Sequence, residues 1–287
     1  MKIGALDSSL RKPLPETVRK FAEMGLQGIQ IRIHPEFLAF PETRLDEIRA
    51  MCADHGLIIS AVCGDDMGTT RFGVRNEWRD RVFLCKAIAD IAAKLQTHVI
   101  TTHIGVIPED RNDEVYRIMA DALRECASYA AAKDAVFAIE TGPEKPETLL
   151  NMLHDVDSKG LGVNLDPANL RMVTCVDPAH AVEVLGKHIV HTHAKDGINI
   201  APGSVPAHYH AYNADGTLRV FAEPGPKRQE VPLGQGQVPW DSYLEALRKA
   251  GYDGFLTIER ECGTDPEGDI SLAKNFLIQK LGQEGRS

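Results

Sequence analysis

Residues 136–166 run Val136-Phe137-Ala138-Ile139-Glu140-Thr141, then a helical stretch from Pro146 to Val156, then Gly162-Val163-Asn164-Leu165-Asp166. The two apolar runs are short and each reaches a carboxylate, so they read as strands. The stretch between them has helical spacing and opens on proline. Outward from this unit the same alternation repeats. Strands are predicted at Ile3–Leu6, Gly28–Ile33, Ile58–Cys63, Val99–His103, Ile189–Ala194 and Phe255–Glu259, besides Val136–Thr141 and Gly162–Asp166. Helices are predicted near Leu14–Met24, Thr43–His55, Arg75–Lys94, Asp113–Lys133, Pro178–Gly186, Trp240–Ala250 and Pro266–Lys280. Eight strands alternating with eight helices predict an α/β chain folded as a (β/α)8 TIM barrel. An open doubly wound sheet would use the same alternation, but no G-x-G-x-x-G follows the first strand.

The 287 residues carry no linker-like internal segment, so one domain is expected over residues 1–287. The stretch from Gly197 to Glu230 breaks the rhythm. It is rich in Pro, Gly and polar residues and is too long for an ordinary βα loop. In a barrel it would lie over the catalytic face, as a lid or a homo-oligomer contact, the alternative being a solvated loop. The formal net charge of -9 and the lack of a basic run argue against nucleic acid as a partner. No apolar run is long enough to span a membrane. The six cysteines form no C-x-x-C pair and the first residues do not read as a signal peptide, which points to a reduced cytoplasm.

In a closed barrel the carboxyl ends of neighbouring strands share one mouth. Glu140, Asp166, His193 and Glu259 end the fifth to eighth strands, so four staves in a row carry a metal-ligand residue there. Any one of them alone reads as a cap or a salt-bridge partner. Together, three oxygen donors and one imidazole suit a hard or borderline divalent cation: Mn2+ first, with Mg2+, Co2+ or Zn2+ as substitutes. Along Ile189-Val190-His191-Thr192-His193-Ala194-Lys195-Asp196, period two puts His191, His193 and Lys195 on one face. His193 is placed to reach the metal, Lys195 to meet a substrate oxygen, and His191 to be a hydrogen-bonded core residue. His103 ends the fourth strand beside Glu140 and is a candidate substrate ligand or proton shuttle. His34, after the second strand, is a further candidate substrate contact, whereas His208 and His210 in the long segment read as solvated.

The motifs Glu140-Thr141-Gly142, Asn164-Leu165-Asp166-Pro167-Ala168-Asn169-Leu170, His191-Thr192-His193-Ala194-Lys195-Asp196, Pro232-Leu233-Gly234-Gln235-Gly236 and Thr257-Ile258-Glu259-Arg260-Glu261 together resemble the xylose-isomerase-like TIM-barrel superfamily. The resemblance is to its sugar phosphate isomerase/epimerase branch and spans nearly the whole chain. It implies a metal quartet of Glu140, Asp166, His193 and Glu259, with the two glutamates flanking the substrate. One would remove a proton beside a metal-held carbonyl and the other return it, through an enediolate. Two positions depart from the ketose 3-epimerases: Asn169 stands where a histidine is common, and Asn199 where an arginine is. Asn169 is therefore a candidate substrate contact in a rebuilt pocket for a sugar or keto-sugar. A lyase or dehydratase acting on a keto-sugar, 3-keto-glycoside or inosose shares the first step, and a non-catalytic sugar-binding barrel is the remaining alternative.

Overall fold

Strand ends can meet only if the sheet closes, and it does. In the computed structural model, which describes residues 1–65, 67 and 70–282, the strands are β1 (Lys2–Leu6), β2 (Gly28–Arg32), β3 (Ile58–Cys63), β4 (Val99–Thr102), β5 (Val136–Glu140), β6 (Leu161–Leu165), β7 (Ile189–Ala194), β8 (Asp196–Ala201), β9 (Lys227–Val231) and β10 (Phe255–Ile258). Among the described residues, eight of them form a closed parallel barrel in the order β1-β10-β7-β6-β5-β4-β3-β2. Helices cover the outside, so strands buried on both faces read as near-continuous apolar runs; every residue of β6 is buried. No described helix is long and apolar enough to cross a membrane.

Local chemistry starts and stops the helices. Asp113 caps the helix Glu114–Ala132 by accepting from Val115 N at 2.8 Å, and Asp177 caps Pro178–Leu185 in the same way at 3.0 Å. Gly56 follows the helix Glu42–Asp54 with φ of 72°, a left-handed turn that glycine adopts without steric cost. One boundary departs from the sequence reading. The third helix begins at Trp78, not Arg75, because the Arg75 N–H bonds Ala214 O at 2.8 Å instead of entering a helical turn.

The lumen holds polar side chains that the apolar strand pattern does not announce. Gln30 Nε2 donates to Thr101 Oγ1 at 2.7 Å, His191 Nδ1 bonds Asn164 Oδ1 at 2.9 Å, and Thr257 Oγ1 bonds His191 Nε2 at 3.0 Å. A buried polar group left unpaired costs about 1–3 kcal/mol, which accounts for the linked arrangement. His191 is thus a satisfied core histidine whose burial, with His193 beside it, holds its pKa well below the usual imidazole range.

The segment after β7 is an antiparallel hairpin, β8 against β9, enclosing a short helix at Val205–His208. Its base is anchored by Asp196. Oδ1 accepts from Gly197 N at 2.9 Å and Val238 N at 3.1 Å, and Oδ2 from Gly234 N at 2.9 Å and Trp240 Nε1 at 3.0 Å. A Cβ at Gly236 would lie 2.1 Å from Asp196 Oδ1, so the close approach requires glycine. On β9, buried Glu230 pairs with Arg260 and accepts the Glu261 N–H at 3.1 Å, joining the hairpin to the chain just beyond Glu259. Asp196→Ala strands these buried donors and is expected to lower unfolding free energy by about 3 kcal/mol. A urea transition at the wild-type midpoint would show that the hub is dispensable.

Candidate active site

Glu140 is the last residue of β5, Asp166 follows β6, His193 lies one residue from the end of β7, and Glu259 follows β10. The four are buried, and each offers a ligand atom within 4.8 Å of the others'. His193 Nδ1 lies 3.2 Å from Glu259 Oε2, 3.4 Å from Glu140 Oε1 and 3.7 Å from Asp166 Oδ2. Parallel register makes this possible: Glu140 pairs with Asn164 and Thr257 with His193, so the carboxyl edges of these staves lie close to one level.

The hydrogen bonds determine which nitrogen of His193 faces the cluster. Gln30 donates from Nε2 to Thr101, so its Oε1, 3.0 Å from His193 Nε2, is the acceptor there. The imidazole hydrogen therefore sits on Nε2, and the Nδ1 lone pair points at three carboxylates. His193 Nδ1 and Asp166 Oδ2 are both buried with no hydrogen-bond partner. The other Asp166 oxygen is engaged, accepting from Ala168 N at 2.8 Å and Asn169 N at 2.9 Å. Lone pairs converging in this way need a positive charge between them. Burial alone would lower the His193 pKa, but the carboxylates of Glu259 and Glu140 outweigh it and hold the ring well above its ordinary value. A proton or a cation answers that demand, and three carboxylate oxygens with one imidazole fit a divalent ion.

The two glutamates differ in their neighbours. Burial raises the pKa of Glu140, with His103 and His193 opposing. Its oxygens accept from the neutral amides of Asn164 and Asn169, each at 3.2 Å. At Glu259 burial is outweighed by Lys195 and His193, which keep the carboxyl well below the usual range. Lys195 Nζ is 3.0 Å from its Oε2 and also pairs with Glu261, and Arg32 Nη2 is 3.9 Å from its Oε1.

A cavity of about 440 Å³ opens above the cluster, and Glu140 and Glu259 line it; Asp166 and His193 lie beneath, fully buried. His103, Asn169 and Lys195 line it too. His103 is gripped by Asp65, which accepts its backbone N–H at 2.7 Å and lies 3.1 Å from its Nδ1, while its Nε2 is 3.6 Å from Glu140 Oε1. Burial would depress the His103 pKa, but Glu140 and Asp65 raise it to about 10. Asp65, His103 and Glu140 also bring ligand-type atoms within 4.8 Å of one another, with Asp65 already committed to His103.

One histidine is placed otherwise than the sequence reading expected. His34 is exposed and is not among the cavity residues, lying beyond the end of β2 and just before the 3-10 turn Pro35–Ala39; Arg32, two residues earlier, borders the cavity instead. His210 of the hairpin is exposed, as expected of that segment, and stands at the border of the cavity with Tyr209, Tyr212 and Arg228. His208 accepts from Arg228 Nε at 3.0 Å. Asn199 is turned away, its amide spent on Met172 O at 2.7 Å. Sequence reasoning missed Gln30, Asn164, Asp65 and Arg32. A usable signal existed for the first two, since each is a lone amide inside an otherwise apolar strand.

Comparisons with known proteins agree with this architecture. An uncharacterised protein of Methanocaldococcus jannaschii is 27% identical over 196 residues, a match covering 65% of this chain and 58% of the relative. The chain thus spans less than two thirds of that relative's length. The crystal structure of a xylose isomerase domain protein from Planctomyces limnophilus superposes with a TM-score of 0.79 at 24% identity, covering 100% of this chain and 98% of that one. A D-psicose 3-epimerase, crystallised in the presence of D-fructose, superposes with a TM-score of 0.73 at 16% identity, covering 98% and 100%. At these identities the superpositions establish the fold. The profile of the family described as xylose isomerase-like TIM barrel matches residues 18–280, nearly the full barrel, and the chain belongs to that family.

Proposed function

We propose that this chain is a divalent-metal-dependent isomerase or epimerase of a sugar or keto-sugar, moving a proton on a carbon beside a carbonyl. The observation that carries this reading is the division of the cluster. Asp166 and His193 are sealed below the cavity with unpartnered lone pairs, whereas Glu140 and Glu259 both border the cavity. Glu140, Asp166, His193 and Glu259 would hold the ion, Mn2+ first, with Mg2+, Co2+ or Zn2+ as substitutes. When bound, such an ion polarises a carbonyl and so acidifies the neighbouring C–H.

The chain's own groups supply the rest. Glu259, kept ionised by Lys195 and His193, takes the proton on a carboxylate oxygen, and Glu140 delivers one from the opposite side. The two approach from different sides because β6 and β7 separate their staves. Return to the other face of the same carbon inverts it; return to the adjacent carbon exchanges aldose and ketose. His103, charged through Asp65 and Glu140, donates from Nε2 to a substrate oxygen, Lys195 presents its remaining ammonium hydrogen from a further side, and Asn169, whose amide hydrogens go to Glu140 and Thr141 O, borders the substrate space. Incubating the metal-loaded protein with ketoses, aldoses, inososes and 3-keto-sugars in D2O is expected to label one carbon of one compound class. Loss of water from the labelled compound would convert the reading to a dehydratase, and no label in any class would end it.

Gln30 acts through His193. Removing its acceptor frees the imidazole to rotate or change tautomer, so Gln30→Leu is expected to weaken Mn2+ binding by about 10- to 100-fold in a calorimetric titration. Wild-type affinity in that variant would show that His193 needs no such support.

A further inference from the structure

Arg81 is 4% exposed and borders the same cavity on its β4 side. Its Nη2 donates to Thr102 Oγ1 at 2.8 Å and lies 3.5 Å from Gly64 O, while its guanidinium sits 5.2 Å from the Phe72 ring centroid. Its Nε is buried with no hydrogen-bond partner, and no carboxylate among the described residues forms an ion pair with it. Of the other arginine and lysine side chains around the cavity, Arg71 is paired with Glu77, Lys195 with Glu259 and Glu261, Arg32 approaches Glu259, and Arg228, on the hairpin, donates to His208. A buried guanidinium without a counter-charge is costly, since desolvation is not repaid. On the wall of the same cavity, the Thr70 hydroxyl is likewise buried and unpartnered. Two orphaned donors, and a positive charge with no ion-pair partner among the described residues, thus border one chamber, whose lining also includes the apolar Phe72, Val74, Val106 and Met119 and the Glu77-paired Arg71. The chain as a whole carries a net charge of -9, so this local positive character is not a general property of its surface.

We propose that the substrate carries an oxyanion, a carboxylate or a phosphate ester, at the end of the sugar remote from the reacting carbonyl, and that Arg81 and Thr70 bind it. This deepens the isomerase reading and rests on it for the word substrate. Guanidinium geometry suits either oxyanion through paired N–H donors, and the hydroxyl adds a third. Thr102, which positions Arg81, precedes His103, so the anion and the reacting carbons would be held from the same side of the mouth.

The test is calorimetric binding of D-fructose, D-fructose 6-phosphate and D-fructuronate to the metal-loaded protein, with D2O exchange followed in parallel. One of the two anionic sugars is expected to bind about 30-fold tighter than D-fructose, and which one it is separates phosphate from carboxylate. Arg81→Met should bring that preference close to parity, Arg81→Lys should retain part of it, and Thr70→Val should reduce it about fivefold. If Arg81→Met does not fold, the other two variants carry the comparison. Equal binding of neutral and anionic sugars, no binding of either anionic sugar, or an undiminished preference in the folded variants would overturn the proposal. An intact anionic preference without deuterium exchange would overturn the isomerase reading alone, and exchange on D-fructose without preference would overturn the anion site alone.

Discussion

Glu140→Gln and Glu259→Gln are each expected to lower turnover by about a thousandfold, the scale of a positioned proton-transfer group. Glutamine keeps the shape and can still accept through its amide oxygen, but it cannot take up the substrate proton. The neighbours of each site argue that the folds survive. At position 140 the glutamine oxygen still accepts from one of the Asn164 and Asn169 amides while its NH2 group replaces the other acceptor, a single lost hydrogen bond of about 1 kcal/mol. At position 259, Lys195 keeps its second partner, Glu261. The measurement is deuterium incorporation into substrate beside a thermal melt. A variant that melts like the wild type yet incorporates deuterium at a near-native rate would show that its glutamate moves no proton. Since both side chains border the cavity, the two losses should be of comparable size.

Chelation of the metal should abolish activity and also lower stability, because the buried donors are left facing one another. An ion present at about 100 times its dissociation constant contributes about 2.7 kcal/mol to the native state. For a chain of this size that corresponds to a rise in Tm of about 5–10 °C on adding Mn2+. Asp166→Asn separates ligation from capping. Its side-chain oxygen can still accept from Ala168 N and Asn169 N, as Asp166 Oδ1 does, while the charge at the unpartnered oxygen is gone. The variant is expected to fold and to lose most of the Mn2+-dependent shift. A full shift in Asp166→Asn would exclude this carboxylate from the metal site. The shift should also shrink as pH falls, since protons compete with the ion for His193 and the carboxylates.

The candidate quartet was legible because each member is a polar residue at the carboxyl edge of a strand, a place that strand periodicity and chain order locate without tertiary information. Its supporting residues were not. Gln30 meets His193 across the lumen from β2 to β7, and those strands are not neighbours in the sheet. The register shift between Ile29 and Gln30, like that between Val163 and Asn164, changes which residues face each other, and no local pattern marks either. His34 and Arg32 show the same limit. Alternation along β2 puts Arg32 on the face of Gln30, but only the structure shows that the strand stops there and leaves His34 exposed outside the cavity.

By itself the sequence determined the barrel, through eight alternations of period, and the four staves whose ends carry ligand-type side chains. Both are properties of local repeat and order, which short-range sterics and apolar burial impose on any such chain. The tertiary structure decided the tautomer of His193, the separation of cavity-facing glutamates from buried Asp166 and His193, the hairpin built from residues 196–231, and the placement of Arg81 with no ion-pair partner among the described residues. These depend on distances between residues far apart in sequence, which exist only once the sheet closes and its register is set.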